Sequence, residues 1–282
     1  MIGDDKIHAK TKRRRSSHGL VEWLLIAIVF LYAGLLLIGP LVAIVQGSLA
    51  AGFGNLWTAL TAPDSIHALK LTLALSVGAT TINAIFGTCI AWVLVRDKFI
   101  GRRFLNGLVD LPFAVSPVIA GLMLVLLFGR GGWFTSATEA AGIKILFAWP
   151  AMLLATTFVS LPFVIREVMP VLLQAGMRQE YAAYTMGANG PQTFWHVTLP
   201  SIRWGLLYGV SLTFARSIGE FGALLVVGGG VIGSTETSTL LIYRSLDDRN
   251  YTQASAVALE LAVLSFTVLM LMEIFKGKRK RS

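Results

Sequence analysis

Apolar residues along this chain gather in blocks much longer than a soluble helix needs. Six stretches, at 23–45, 71–95, 111–129, 145–165, 204–227 and 254–272, approach or exceed the roughly 20 apolar residues that carry a helix across a bilayer core. Four hold no charged residue, whereas the fifth contains Arg216 and Glu220 and the sixth contains Glu260. Lipid offers backbone N–H and C=O groups no partner, so each stretch is expected to be a helix that satisfies its own hydrogen bonds. The predicted fold class is an all-α membrane protein built as a six-transmembrane-helix bundle. The first stretch follows Lys12-Arg13-Arg14-Arg15, yet it is too long for the apolar part of a signal peptide and meets no small-residue cleavage site before Pro40. It reads as an uncleaved first span.

Polar residues then set the expected orientation. Of the 24 Lys and Arg, 18 fall in the N-terminal tail, the 2–3 connection, the 4–5 connection and the C-terminal tail, which places those segments and both termini in the cytoplasm. The opposite side holds Lys70, Arg130, Lys144, Arg244 and Arg249. A net charge of +9 is accounted for by this topology and by anionic lipid heads, so nucleic acid is not implied as a partner. Composition agrees, since 55% of residues are hydrophobic and only 14% charged, against about 25% charged in soluble domains. The single cysteine, Cys89, cannot form an intrachain disulfide, and no Cys/His cluster has metal-ligand spacing.

The expected organisation is a basic cytoplasmic tail at 1–19, disordered or lying on the membrane surface, a transmembrane domain at 20–275, and a second basic tail at 276–282. The outer connections are short or glycine-rich and show no site. The connection at 166–203 has more pattern than a tether requires. Glu180-Tyr181-Ala182-Ala183-Tyr184-Thr185-Met186 suits a helix that Gly187 can close, and Asn189-Gly190-Pro191 suits the start of a second short helix with Phe194, Val197 and Thr198 on its apolar face. A helix-turn-helix outside lipid, suited to docking on another protein, is the expectation.

The run 181–188 with Phe194, Val197, Thr198, Leu199 and Pro200 resembles the EAA loop of ABC-importer permeases, whose coupling helix seats in a cleft of a cytoplasmic ATPase. The family's usual glutamate falls where Tyr181 stands, with Glu180 one residue earlier. That resemblance implies ATPase-coupling roles for Glu180, Tyr181, Ala182, Ala183, Gly187 and Ala188. The run 214–223, with Arg216 and Glu220 inside it, looks like the fifth-helix signature of sulfate, molybdate and tungstate permeases. Segments 110–117 and 128–133 are most similar to sulfate/thiosulfate permeases of the CysW type. The likeness covers nearly everything from the first stretch to the sixth, leaving only the basic tail and the outer loop from Gly230 to Tyr251 individual. It implies an ABC-importer permease bundle in a bacterial-type inner membrane, two ATP-hydrolysing subunits, a homologous permease subunit in a heterodimer, and an extracytoplasmic sulfate-binding protein.

Several polar residues invite a choice between chemistry and packing. Arg216 and Glu220, four residues apart, are expected on one helix face, as a substrate-pathway cation with its holder or as a structural ion pair. Ser217 is grouped with them. Asp110 is expected to be solvated at the cytoplasmic end of the third span beside Arg102 and Arg103, and Glu260 to meet a cation on a neighbouring helix. Asn83, Thr80, Thr81 and Thr88 fit a polar path or interhelix hydrogen bonds. Gly205 and Gly209 are expected to admit close helix contact. Pro112, Pro117, Pro150 and Pro162 fit bent or merely tolerant helices. Trp23, Trp57, Trp133 and Trp149 fit interfacial anchoring.

No Gly-x-x-x-x-Gly-Lys-Ser/Thr loop occurs, so the chain has no visible means of hydrolysing ATP, and it holds no catalytic or metal site. No cofactor is expected in the chain; ATP and Mg2+ are expected in the partner ATPase. The reading is a permease subunit that forms half of a sulfate/thiosulfate pathway. Its rivals are a molybdate or tungstate permease and an ion-coupled secondary transporter using Arg216, Glu220 and Glu260, for which no inverted repeat is evident. An intramembrane enzyme lacks a nucleophile-base constellation.

Overall fold

The architecture comes from a computed structural model that describes residues 20–50 and 52–277. The tail expected at 1–19 and most of that expected at 276–282 lie outside the described residues. Every regular element among the described residues is helical. The chain divides after Gln46 into two units. The first holds most of α1 (Leu20–Leu49), an apolar helix with Glu22 in its first turn.

The second unit begins at Gly47. It contains, in order, α2 (Phe53–Thr61), α3 (Pro63–Arg96), α4 (Arg102–Ala114), α5 (Pro117–Phe128), α6 (Thr135–Ala140), α7 (Trp149–Ala175), α8 (Arg178–Thr185) and α9 (Gly190–Thr193). A π-helical turn, Phe194–Thr198, leads into α10 (Leu199–Ile218), followed by α11 (Gly222–Gly228), α12 (Ser238–Asp247) and α13 (Tyr251–Gly277). Four helices are long and apolar enough to cross a bilayer, and there are up to six crossings if each of two bent pairs counts as one.

At the centre of this unit, α3 and α7 run in the same direction. Asn83 Nδ2 donates to Thr157 O at 3.1 Å and to Ser160 Oγ at 2.9 Å, while further along Arg96 donates to Leu172 O at 3.2 Å. Asn83 therefore makes the interhelix bond, and Thr81 and Thr88 bond carbonyls of their own helix. α10 runs the opposite way, with Gly205 against Glu167 and Val171 and Gly209 against Val164. A Cβ on Gly209 would sit 2.9 Å from Val164 Cα, so the missing side chain is what lets the two backbones meet, as expected.

Apolar packing forms two clusters along this three-helix core. One gathers Leu75, Met152, Val159, Leu224 and Val227; the other gathers Leu94, Val164, Ile165, Val168 and Ile202. Between them lies a buried polar layer of Thr80, Asn83, Thr156 and Ser160. From Thr72 to Arg96, α3 rises about 36 Å at 1.5 Å per residue, slightly more than the ~30 Å of a hydrocarbon core. Its two ends carry the polar assemblies described below.

Two apolar stretches are not the single helices expected. The stretch at 111–129 is broken at Val115 and Ser116, and α4 and α5 meet at 112°. A residue preceding proline avoids the helical region, and Ser116 accordingly takes ψ 141° before Pro117 opens α5. The stretch at 204–227 is broken at 219–221, and the segments on either side meet at 59°. By contrast α7 passes through Pro162 and Pro170 unbroken and extends past Arg166 to Ala175. The link from α7 to α10 is correspondingly shorter than the charge pattern implied.

Candidate functional site

At the end where α3 and α7 finish, a buried ion pair positions α8. Arg96 Nη2 donates to Glu180 Oε1 at 3.0 Å and to Gly176 O at 2.8 Å. Thr198 Oγ1 donates to the same Glu180 oxygen at 2.9 Å. Arg96 and Glu180 side chains are 7% and 8% exposed, so two charges removed from water are held by each other and by neighbouring polar groups, with Arg96 Nε alone on that guanidinium lacking a partner among the described residues. One carboxylate thereby links the C-terminal ends of α3 and α7 to α8 and to the start of α10.

α8 then closes on Gly187, which has φ +89° and open space where a Cβ would stand. Gly187 N–H donates to Tyr184 O and Ala188 N–H to Ala183 O, both at 3.0 Å, the paired bonds of a Schellman ending. Asn189 and Gln192 form a reciprocal capping box that starts α9, each side-chain oxygen accepting the other's backbone N–H at 2.9 Å. The second helix does not stop, because α9, the π turn and α10 are continuous. Phe194 in the π turn packs edge-on against Trp92 of α3.

This hairpin presents large side chains to solvent: Tyr181, Tyr184, Trp195 and, at 82% exposure, Met186. Beside them an open concavity of about 470 Å³ is lined by Gln179, Ala182, Met186 and His196. Ala182 and Gly187 are exposed, Ala188 is half-buried, and Glu180 and Ala183 face inward. Of the six residues that the sequence marks for coupling, two support the helix and four lie at or near its surface.

Some 27 Å along α10, at 1.5 Å per residue, the helix break holds a second assembly. Arg216 Nη1 lies 3.0 Å from Glu220 Oε2, with the arginine side chain 34% exposed and the glutamate 2%. Glu220 Oε1 accepts the Ala223 N–H at 3.2 Å, and its backbone carbonyl accepts the Thr239 hydroxyl at 2.7 Å. The expected pair is thus present, but Glu220 stands outside α10, where its carboxylate caps the start of α11. A carboxylate at a helix N-terminus satisfies a free N–H and meets the positive end of the dipole. α5 begins alongside, since a Cβ on Gly222 would lie 3.0 Å from Val118 Cγ2 and 3.4 Å from Pro117 Cβ. Ser217 is buried, and its Oγ has no hydrogen-bond partner among the described residues.

α12 supports this break from the far end of α3. Ser238 N–H donates to Thr72 Oγ1 at 2.9 Å. Arg244 grips buried Glu236 with two bonds, at 2.6 and 3.1 Å, and lies 3.4 Å from Asp64 and 3.8 Å from Asp248. The hydrogen bonds that Arg244 donates to Glu236 raise the guanidinium pKa above its already high ordinary value, so this cation persists at every pH the protein meets.

Two polar expectations are corrected. Asp110 is not simply solvated beside Arg102 and Arg103; Arg166 of α7 clasps both its oxygens, at 2.8 and 2.5 Å, and also bonds Asn106. Glu260 meets no cation among the described residues, and its Oε2 is buried without a partner. The sequence singles out neither Thr239 nor Glu236, counts Arg96 only as a topology charge and places Thr198 only on an apolar face, because nothing in residue spacing links these four to their partners.

Comparison with known proteins adds to this geometry. The family described as binding-protein-dependent transport system inner membrane component matches residues 83–281. A sulfate transport system permease protein CysW from Synechocystis sp. is 46% identical over 260 residues, covering 92% of this chain and 94% of the relative. A sulfate transport system permease protein CysT from Salmonella typhimurium is 38% identical over 244 residues, covering 86% and 87%. Among solved structures, a chain of a bacterial alginate ABC transporter, in complex with an alginate pentasaccharide-bound periplasmic protein, matches with a TM-score of 0.74 at 19% identity. It covers 89% of this chain and 93% of that one, a likeness of fold.

Proposed function

Because this chain belongs to the family of binding-protein-dependent transport system inner membrane components, we propose that it is the permease subunit of an ATP-driven sulfate importer, forming half of the translocation pathway. It is a multi-pass membrane subunit without catalysis of its own, and ATP is hydrolysed in a separate subunit. The sulfate assignment rests on the relatives. The coupling role rests on one observation, an exposed hairpin of Tyr181, Tyr184 and Met186 held on the bundle by the buried Arg96–Glu180 pair.

In this reading the chain makes six crossings with both termini in the cytoplasm, counting each bent pair as one. The α8 end faces the cytoplasm and docks on one of two ATPase subunits, which bind ATP and Mg2+. A homologous permease, related as CysT is to CysW, supplies the other half of the pathway, and a sulfate-binding protein delivers the anion on the far side. ATP-driven approach of the ATPases moves α8. Glu180 passes that motion to the ends of α3 and α7, and the continuous run from α9 to Ile218 carries it to the break at Glu220.

At the break Arg216 supplies a cation for the passing anion. Glu220 engages one edge of its guanidinium and offsets its charge, so the attraction is weak enough to release a dianion quickly. A pathway needs such weakness, because tight binding would slow exit.

Purification from native membrane followed by vesicle uptake tests this reading. The expected result is recovery with two copies of an ATPase, a second permease and uptake of labelled sulfate only when ATP is present. Competition by molybdate in preference to sulfate defeats the substrate assignment, and uptake by the isolated chain driven by an ion gradient defeats the whole reading.

A further inference from the structure

The corner between α3 and α4 carries charges and apolar side chains that neither the docking hairpin nor the helix break uses. Its 112° turn from α5 sets α4 nearly crosswise to that helix, so α4 lies close to the membrane plane when α5 stands across it. One side of α4 is fixed to the bundle: Val109 and Pro112 are buried, and Arg166 clasps Asp110 and Asn106. The opposite side carries Phe104 and Leu108, four residues apart and 76% and 47% exposed, and Ile100 stands fully exposed in the turn just before the helix. An apolar stripe of that kind on a helix parallel to the membrane is suited to the boundary between headgroups and acyl chains.

Lys98, Arg102 and Arg103 flank the stripe, and none of them is in an ion pair among the described residues. Asp97 is the only carboxylate of this corner left to offset them, because Asp110 is taken by Arg166. Two adjacent concavities share Arg102 and Arg103. One, of about 510 Å³, lies on the connection at 98–101; the other, of about 320 Å³, adds Leu94, Asn106 and Met169 to its lining. Guanidinium groups suit phosphate because they offer paired donors, and an excess of cations on an apolar shelf complements an anionic leaflet.

We propose that this corner holds an anionic phospholipid, its phosphate between Arg102 and Arg103 and its acyl chains along Ile100, Phe104 and Leu108. The site would tie α4 to the leaflet while the bundle moves. The proposal rests on the reading that the α8 end faces the cytoplasm.

The test is native mass spectrometry of the intact complex, given phosphatidylglycerol and phosphatidylcholine in equal amounts. The wild type is expected to retain phosphatidylglycerol by about thirtyfold over phosphatidylcholine, in line with roughly 1 kcal/mol for each of two arginines. The R102Q/R103Q pair should lose that preference and R102K/R103K should keep most of it, both with undiminished recovery of the ATPase. Equal retention of the two lipids by the wild type overturns the site, whatever the variants do. Loss of the ATPase from R102Q/R103Q with the lipid ratio unchanged assigns the corner to the motor protein instead. Sidedness is read separately, with Ile100→Cys in a Cys89→Ala background and a membrane-impermeant maleimide. Labelling from outside intact cells overturns the cytoplasmic reading; no lipid preference with labelling only from inside overturns the lipid site alone.

Discussion

Arg96 and Glu180 are 84 positions apart in the chain and 3.0 Å apart in space, and between them they fasten the α8 hairpin to the bundle. Arg96 also holds two carbonyls at the end of α7, and Glu180 also accepts the Thr198 hydroxyl. Removing the carboxylate leaves a buried cation without its counter-charge. Glu180→Ala should therefore cost about 3–5 kcal/mol and lower the melting temperature of the purified complex. Replacing both partners with apolar residues should recover much of that loss. A Glu180→Ala protein that melts like the wild type and recovers the same ATPase would remove the pair from the mechanism.

Gly187 separates shape from contact. Its φ of +89° strains any other residue, yet a Cβ there would meet nothing within the chain. Gly187→Asn should be tolerated better than Gly187→Val, because asparagine enters the left-handed region more readily and a β-branched residue does so least. Both variants should insert. Co-purification of the ATPase should fall in the order Gly, Asn, Val, and equal recovery from all three would count against the docking role.

Gly209 tests the dry contact of α10 with α7. The atom that a new Cβ would meet is Val164 Cα, which cannot swing aside. Gly209→Leu should force the helices apart at a cost of about 1–3 kcal/mol, seen as earlier thermal unfolding in detergent. Gly54→Leu, in α2 with no atom within 4 Å of a new Cβ and no left-handed φ, provides the contrast.

Arg216 and Glu220 should respond differently to neutralisation. Arg216→Gln removes the proposed pathway cation and should cut sulfate uptake about tenfold or more, the effect of losing 1.4 kcal/mol or more of attraction, with assembly intact. Glu220→Gln keeps an oxygen for the Ala223 N–H and leaves Arg216 uncompensated, so sulfate should be held longer and maximal uptake should fall. Unchanged uptake in Arg216→Gln would make the pair purely structural.

Thr239 gives a milder test of the α12 support. Thr239→Val removes the hydroxyl that meets the Glu220 carbonyl and should cost about 1 kcal/mol. Faster backbone amide exchange at 219–223, with little change at α8, is the expected local signature. Uniform exchange across the break would show that α12 does not hold it.

Much of this arrangement was legible in residue order because its causes are local. Long apolar blocks identify helices before any contact is known, Gly187 and Asn189-Gly190-Pro191 announce the hairpin, and the motifs at 181–200 and 214–223 point to the family that comparison then showed. Small residues at 205 and 209 likewise signal a helix contact. The breaks were less visible: apolar composition continues across Ser116 and Gly219, and hydropathy does not register a change of direction.

Residue chemistry, then, settled that the chain lives in lipid and where it offers a hairpin, because burying apolar surface and satisfying backbone groups depend on composition and short-range order. Which charge meets which depended on the packed helices. Arg96 reaches Glu180, Arg166 takes Asp110 from its nearer arginines, and Thr239 finds the carbonyl of Glu220 because parallel and antiparallel packing brings distant turns to one depth. Those contacts act over a few ångströms, whereas the spacing of residues along a chain constrains separation only within a turn or two.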